Sequence, residues 1–125
     1  MMAAETGDRV AQLFQSIDNR DIDAFLAFLS ADVLFRFGNA QPVKGKDGVR
    51  TAVNGFFESV KALRHELIGT WQKDDVTICH GMVTYTRHDS TTLRVPFANI
   101  LKLDAGSIKE YLIYVDISGL YKSVK

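Results

Sequence analysis

The chain predicts an α+β fold on three observations: apolar residues recur at helical spacing in its first half, four strand-like runs follow, and short turn signals join those runs. From residue 8, Val10, Leu13, Phe14 and Ile17 share one helical face, and the pattern stops before Asn19-Arg20. Asp21 can cap a second helix whose stripe is Ala24, Phe25, Phe28 and Leu29, giving an αα-hairpin. Val33-Leu34-Phe35-Arg36-Phe37 is dense in strand formers, and Gly38-Asn39 turns the chain toward Pro42. Gly45 and Asp47 open a third helix, in which Val49, Val53, Phe56, Phe57 and Val60 keep the helical period until Leu63.

Residues 64–71, 76–87, 93–103 and 107–116 read as strands, separated by Lys73-Asp74-Asp75, Asp89-Ser90 and Asp104-Ala105-Gly106. Strands joined by turns this short pair antiparallel, so three helices followed by a long meander imply one curved sheet with the helices on its concave side. A length of 125 residues is enough for one core but not two. Residues 1–125 are therefore expected to form a single domain, with 1–7 and 122–125 as tails.

Composition removes several function classes. Lys plus Arg equals Asp plus Glu at 15 each, which leaves no excess basic charge for phosphates, so nucleic acid is not an expected partner. No run approaches the ~20 apolar residues that span a bilayer, so no membrane association is expected. The lone Cys79 excludes an internal disulfide and a multi-cysteine zinc site. The opening MMAAETGDRV has neither a basic nor an apolar signal region, and a cytoplasmic location is the expectation. HxH and HExxH spacings are absent, as are GxGxxG and GxxxxGK[ST] loops, so neither a metal nor a cofactor is expected. Cys79 has no basic motif beside it to favour a thiolate nucleophile.

Four segments in this order carry a family resemblance: Asp21-Ile22-Asp23-Ala24, Val43-Lys44-Gly45-Lys46-Asp47, Arg64-His65-Glu66-Leu67 and Ile113-Tyr114-Val115-Asp116-Ile117. With the element order they make residues 8–121 resemble the SnoaL-like branch of the nuclear transport factor two superfamily. That group includes polyketide cyclases, ketosteroid isomerases and limonene epoxide hydrolases. The resemblance implies a cone-shaped α+β fold, three N-terminal helices closing a pocket against the sheet, and a homodimer packed through the outer sheet face. Val83, Tyr85, Val95 and Leu101 are available for such an interface.

Asp116 is the first candidate for chemistry. It follows Leu112, Ile113, Tyr114 and Val115 in an apolar strand, where burial would raise its pKa, and the resemblance places a working Asp there. The alternative is a carboxylate capping the turn at Ser118-Gly119. If Asp116 points inward, Tyr114 and Leu112 share its face, and Tyr114 can donate to a substrate oxygen or serve only as core. Asn99, in the apolar strand Val95-Pro96-Phe97-Ala98-Asn99-Ile100-Leu101, needs hydrogen-bond partners or a ligand. The resemblance sets it where isomerases carry an acid that donates to an enolate. His80, sharing a face with Met82 and Thr84, is either a general base or a satisfied structural histidine. His65 is a weaker candidate, and His88 is expected to be solvated.

Departures from the resembled enzymes shape the expected pocket. Phe35 and Phe37 stand where epoxide hydrolases carry Tyr and Asn and where isomerases carry their basic Asp. His80 and Met82 replace an Arg and a second Asp, and Leu13 lies near the isomerase Tyr. The expected lining is accordingly apolar: Phe35, Phe37, Phe14 or Phe25, Phe56, Trp71, Met82, Phe97 and Leu112. The expectation is a cofactor-independent protein that binds a small hydrophobic, oxygenated molecule such as a terpenoid, steroid or polyketide fragment. Isomerisation, cyclisation, dehydration or hydrolysis would proceed through Asp116. The alternative is a non-catalytic ligand-binding or dimerisation module in which Asp116 is structural.

Overall fold

A computed structural model describes residues 2–121, with side chains from residue 8 onward; the remainder of both expected tails lies outside the described residues. Nine elements follow one another: α1 (Met2–Asp18), α2 (Ile22–Leu26), β1 (Leu29–Phe37), β2 (Val43–Lys44), α3 (Lys46–Ser59), β3 (Ala62–Lys73), β4 (Val76–Thr86), β5 (Thr92–Asp104) and β6 (Ser107–Val115). The Asp21 carboxylate caps α2 by accepting from the Ala24 amide at 3.2 Å. That helix is shorter than its apolar stripe suggests, because Leu29 already opens β1. Gly45, at φ +86°, makes the left-handed turn that starts α3.

The six strands form one curved mixed sheet in the order β2-β1-β6-β5-β4-β3. The meander β3 to β6 is antiparallel throughout, whereas β1 joins β6 in parallel, with Phe35 opposite Tyr111. This pairing brings the first strand beside the last. The helices cover the concave face, where Val10, Leu13, Phe14, Phe25, Val49, Val53 and Phe57 meet the inward side chains of the sheet. On β4 the inward set is Thr77, Cys79, Val83 and Tyr85, and on β5 it is Phe97, Asn99 and Leu101. Val83, Tyr85 and Leu101 therefore belong to the core and not to the outer face on which an interface was expected.

A bulge in β3 changes which side chains face inward. Leu67 pairs with Gly81 but Gly69 pairs with His80, so Ile68 is the extra residue. The bulged strand presses so closely that a Cβ on Gly81 would sit 1.9 Å from the Glu66 carbonyl oxygen. Beyond the bulge the alternation is inverted, and Trp71 points outward opposite Ile78.

Candidate active site

A cavity of about 250 Å³ lies between the concave face and the helices. Its wall is almost wholly apolar, with Phe35 and Phe37 from β1, Phe56 and Phe57 from α3, and Phe97 from β5. The rings brace one another: Phe37 meets Phe56 at 5.0 Å, and Tyr111 meets both Phe25 and Phe35 at 5.5 Å. Four polar side chains reach this lining, namely His65, Tyr85, Asn99 and Tyr111.

Asn99 is 2% exposed and Tyr111 is fully buried. Among the described residues, the buried side-chain polar atoms without a hydrogen-bond partner are Asn99 Oδ1 and Tyr111 Oη. Burying such an atom unpaired costs about 1–3 kcal/mol, so both mark positions where a ligand group would be stabilised. In the β5–β6 register Asn99 pairs with Ile113 and Leu101 with Tyr111, which makes Asn99 and Tyr111 diagonal neighbours on the inner face. Burial holds the Tyr111 hydroxyl well above its ordinary pKa, with the nearby Cys79 thiol adding to the rise, so it stays protonated and able to donate. Burial likewise pushes Cys79 up to about 12, despite a hydrogen bond from the Asn99 backbone that favours the thiolate. Its sulfur is no nucleophile at neutral pH.

His65 is held from behind. The Asp18 carboxylate, at the end of α1, accepts from the His65 backbone amide at 2.9 Å and contacts ring Nδ1 at 2.6 Å. An ionised carboxylate can only accept, so Nδ1 carries the proton of the neutral ring and Nε2 keeps its lone pair. The ring is set between Phe14, at 4.6 Å, and Phe97, at 5.1 Å. His65 also lines an outer hollow with Asp8, Gln12, Gln15 and Asp18. Its position thus joins the cavity to the surface. Along β4, the partner of His65 (Val83) and that of Asn99 (Cys79) are four residues apart, about 13 Å. The histidine and the Asn99–Tyr111 pair therefore occupy different ends of the cavity.

A SnoaL-like domain profile matches residues 10–111. The chain belongs to the SnoaL-like family. No curated protein sequence matches this family member. Its fold is shared with an NTF2-like protein of unknown function from Burkholderia pseudomallei, at TM-score 0.82 and 14% identity over 89% of this chain and 90% of the other. TerC, co-crystallised with polyporic acid, is similar at TM-score 0.80 and 15% identity, over 91% and 93% of the two chains. An LEH-like epoxide hydrolase of M. tuberculosis gives TM-score 0.74 and 14% identity, over 86% and 80%. At these identities the likeness is one of fold.

Of the residues singled out from the sequence, this SnoaL-like domain brings Phe35, Phe37, Phe56, Phe97 and Asn99 to the cavity, together with both Phe14 and Phe25. The others stand elsewhere. The inward residues of β6 are Tyr111 and Ile113, so Leu112 and Tyr114 point to the outer face, where Tyr114 is 53% exposed. The inward alternation assumed from Asp116 is thus reversed. Asp116 lies past the end of β6, exposed, and its Oδ1 accepts from the Ser118 amide at 2.9 Å, which closes a turn. His80 and Met82 have even-numbered positions on β4 and face outward; His80 stacks on Trp71 at 5.4 Å. His80, Tyr114 and Asp116 do come together along a shallow outer groove that shares Phe37, Ala40, Phe97 and Ile117 with the cavity. Among the described residues, no group of three His, Cys, Asp or Glu side chains is placed to hold a metal ion, and no helix is long and apolar enough to cross a membrane.

The sequence alone ranks His65 below His80 and does not single out Tyr111. Asp18, 47 positions away in sequence, orients His65 together with the rings of Phe14 and Phe97, and none of these contacts can be read from the histidine's own strand. Tyr111 was passed over because the phase of β6 had been set from Asp116.

Proposed function

We propose that this SnoaL-like protein binds a small lipophilic, oxygen-bearing molecule in the concave cavity and moves a proton on it without a cofactor. The observation that carries this reading is the apolar cavity, whose few polar groups include a carboxylate-held histidine. His65 Nε2 is the base: it takes a proton from the ligand, the Asp18 carboxylate stabilises the imidazolium, and the proton is returned at another atom or to the same one. On a substrate whose C–H is activated by a carbonyl or conjugated group, isomerisation, dehydration and aldol-type cyclisation each begin with such a step. Asp116 is not assigned this role, since its carboxylate is committed to the Ser118 turn.

A thermal-shift screen of terpene alcohols and epoxides, polyketide lactones, steroids and fatty acids tests the binding. A ligand at about 100 times its Kd adds roughly 2.7 kcal/mol, a shift of several degrees at this chain length. Val53→Trp, which fills the cavity, should remove the shift. Hits are then incubated in deuterated water, where wild-type protein should exchange a ligand C–H for deuterium and His65→Gln should not. Binding without exchange would leave a ligand-binding module and refute the base role.

The outer face suggests a second copy as partner. Ile68, Trp71, Ile78 and Tyr114 are large apolar side chains exposed on or beside it, with Trp71 58% exposed. Exposed aromatic and aliphatic groups clustered on one face mark interaction surfaces. Sedimentation equilibrium of wild-type and Trp71→Glu chains reads the assembly: a dimer should become monomer, and a monomeric wild type would refute it.

A further inference from the structure

The two unpartnered atoms inside the cavity differ in what they offer. Asn99 Oδ1 accepts a hydrogen bond, whereas the Tyr111 hydroxyl, kept protonated by burial, can donate one. A ketone, epoxide or ether oxygen only accepts, so it would satisfy Tyr111 and leave Asn99 Oδ1 unpaired. A hydroxyl both donates and accepts, and so completes the pair. The Asn99 and Tyr111 positions are diagonal neighbours on adjacent strands, within reach of one small polar group.

Size narrows the class further. A dry cavity of about 150 Å³ accommodates benzene, or roughly 25 Å³ per heavy atom. At that ratio the 250 Å³ here holds about ten heavy atoms. Steroids, with about twice that number, do not fit without rearrangement.

We infer that the cavity selects a compact alcohol or phenol of about ten carbons, its hydroxyl bound between Asn99 and Tyr111 and its hydrocarbon body directed toward His65. This rests on the cavity being the ligand site, as proposed above. The hydroxyl is the recognised group and is not the reacting one, because His65 stands at a different end; the proton His65 removes lies on a carbon of the ligand body activated by an adjacent carbonyl or conjugated double bond, which takes up the electron pair.

The test is a set of matched ten-carbon probes, with Kd measured by ligand-observed NMR and calorimetry on the full chain. Thymol is compared with p-cymene, which lacks the hydroxyl, and with thymol methyl ether, which only accepts; menthol is compared with menthone. Two modest hydrogen bonds predict thymol to bind at least tenfold tighter than p-cymene or the ether, and menthol tighter than menthone. Tyr111→Phe, which preserves shape, should remove most of that preference, and Asn99→Leu should do the same where it folds. If the ether or menthone binds as tightly as its alcohol, the hydroxyl inference is overturned while the cavity remains a binding site. If no probe binds, or all bind Val53→Trp unchanged, the cavity reading falls with it.

Discussion

Replacing Tyr111 by Phe should make the ligand-free protein more stable. Tyr111 is fully buried, its ring packs against Phe25 and Phe35, and its hydroxyl has no hydrogen-bond partner. Leaving that hydroxyl unpaired costs about 1–3 kcal/mol relative to its hydration in the unfolded chain. The substitution keeps every ring contact and removes one oxygen from a wall that already borders open space, so the added void costs at most about 1 kcal/mol. The net expectation is a gain of about 1 kcal/mol. With a urea m-value of roughly 2 kcal/mol/M for a domain of this size, the midpoint should rise by about 0.5 M at unchanged m. Paired urea titrations at pH 7, followed by circular dichroism, read this directly. A fall in midpoint of the same size would mean that the hydroxyl is satisfied in solution, and the selectivity built on it would lose its physical basis.

Three further outcomes are expected. Gly81→Ala should destabilise by about 3 kcal/mol or more, because its Cβ would stand 1.9 Å from the backbone oxygen of Glu66 and the bulge would have to open; thermal melts measure it. Asp18→Asn should loosen the His65 tautomer, seen as a change in the imidazole nitrogen shifts away from a fixed Nδ1–H form, and should slow deuterium exchange on a bound ligand at least tenfold; unchanged shifts would refute the orienting role. Stability should fall above pH 9: the unfolded chain releases the Cys79 proton near the ordinary 9.0 while the folded chain holds it to about 12, so folding is disfavoured by up to about 1.4 kcal/mol per pH unit across that window. Cys79→Ala should delay the decline by about one unit, to the ordinary tyrosine value of 10.0 above which Tyr111 begins to contribute, as read by denaturation at a series of pH values.

The fold was legible where periodicity was local. Val49, Val53 and Phe57 announce α3 because one face of that helix rests on the sheet, and those residues are its buried set. The long strands likewise appear within a few residues of their expected bounds, since Asp74-Asp75, Asp89-Ser90 and Ala105-Gly106 can only turn. Leu29 shows the limit: its spacing from Phe25 suits a helix, yet it opens β1, paired with Ile108 of β6. A contact between β1 and β6 cannot be read from either strand alone.

The site was less legible, because strand phase is a single binary choice that reassigns every side chain at once. On β6 that choice is tied to Asp116, a residue past the strand's end whose direction the strand's alternation does not set, and so Tyr114 is expected inside in place of Tyr111. On β3 a local pattern would have kept Trp71 on the face of Leu63, His65 and Leu67, but the extra residue at Ile68 inverts it. The sequence mark of that bulge is on the neighbouring strand: Gly81, in the middle of an apolar run, is there because no larger residue fits against the bulged backbone. Asn99 was legible for the opposite reason. A buried amide in an apolar strand needs a partner whatever the details of packing, and its carbonyl oxygen is one of the two buried side-chain polar atoms without one among the described residues. Unsatisfied polarity survives errors of register better than geometry does, and the hydroxyl expected on the ligand follows from it, as the group that answers both Asn99 Oδ1 and the Tyr111 hydroxyl.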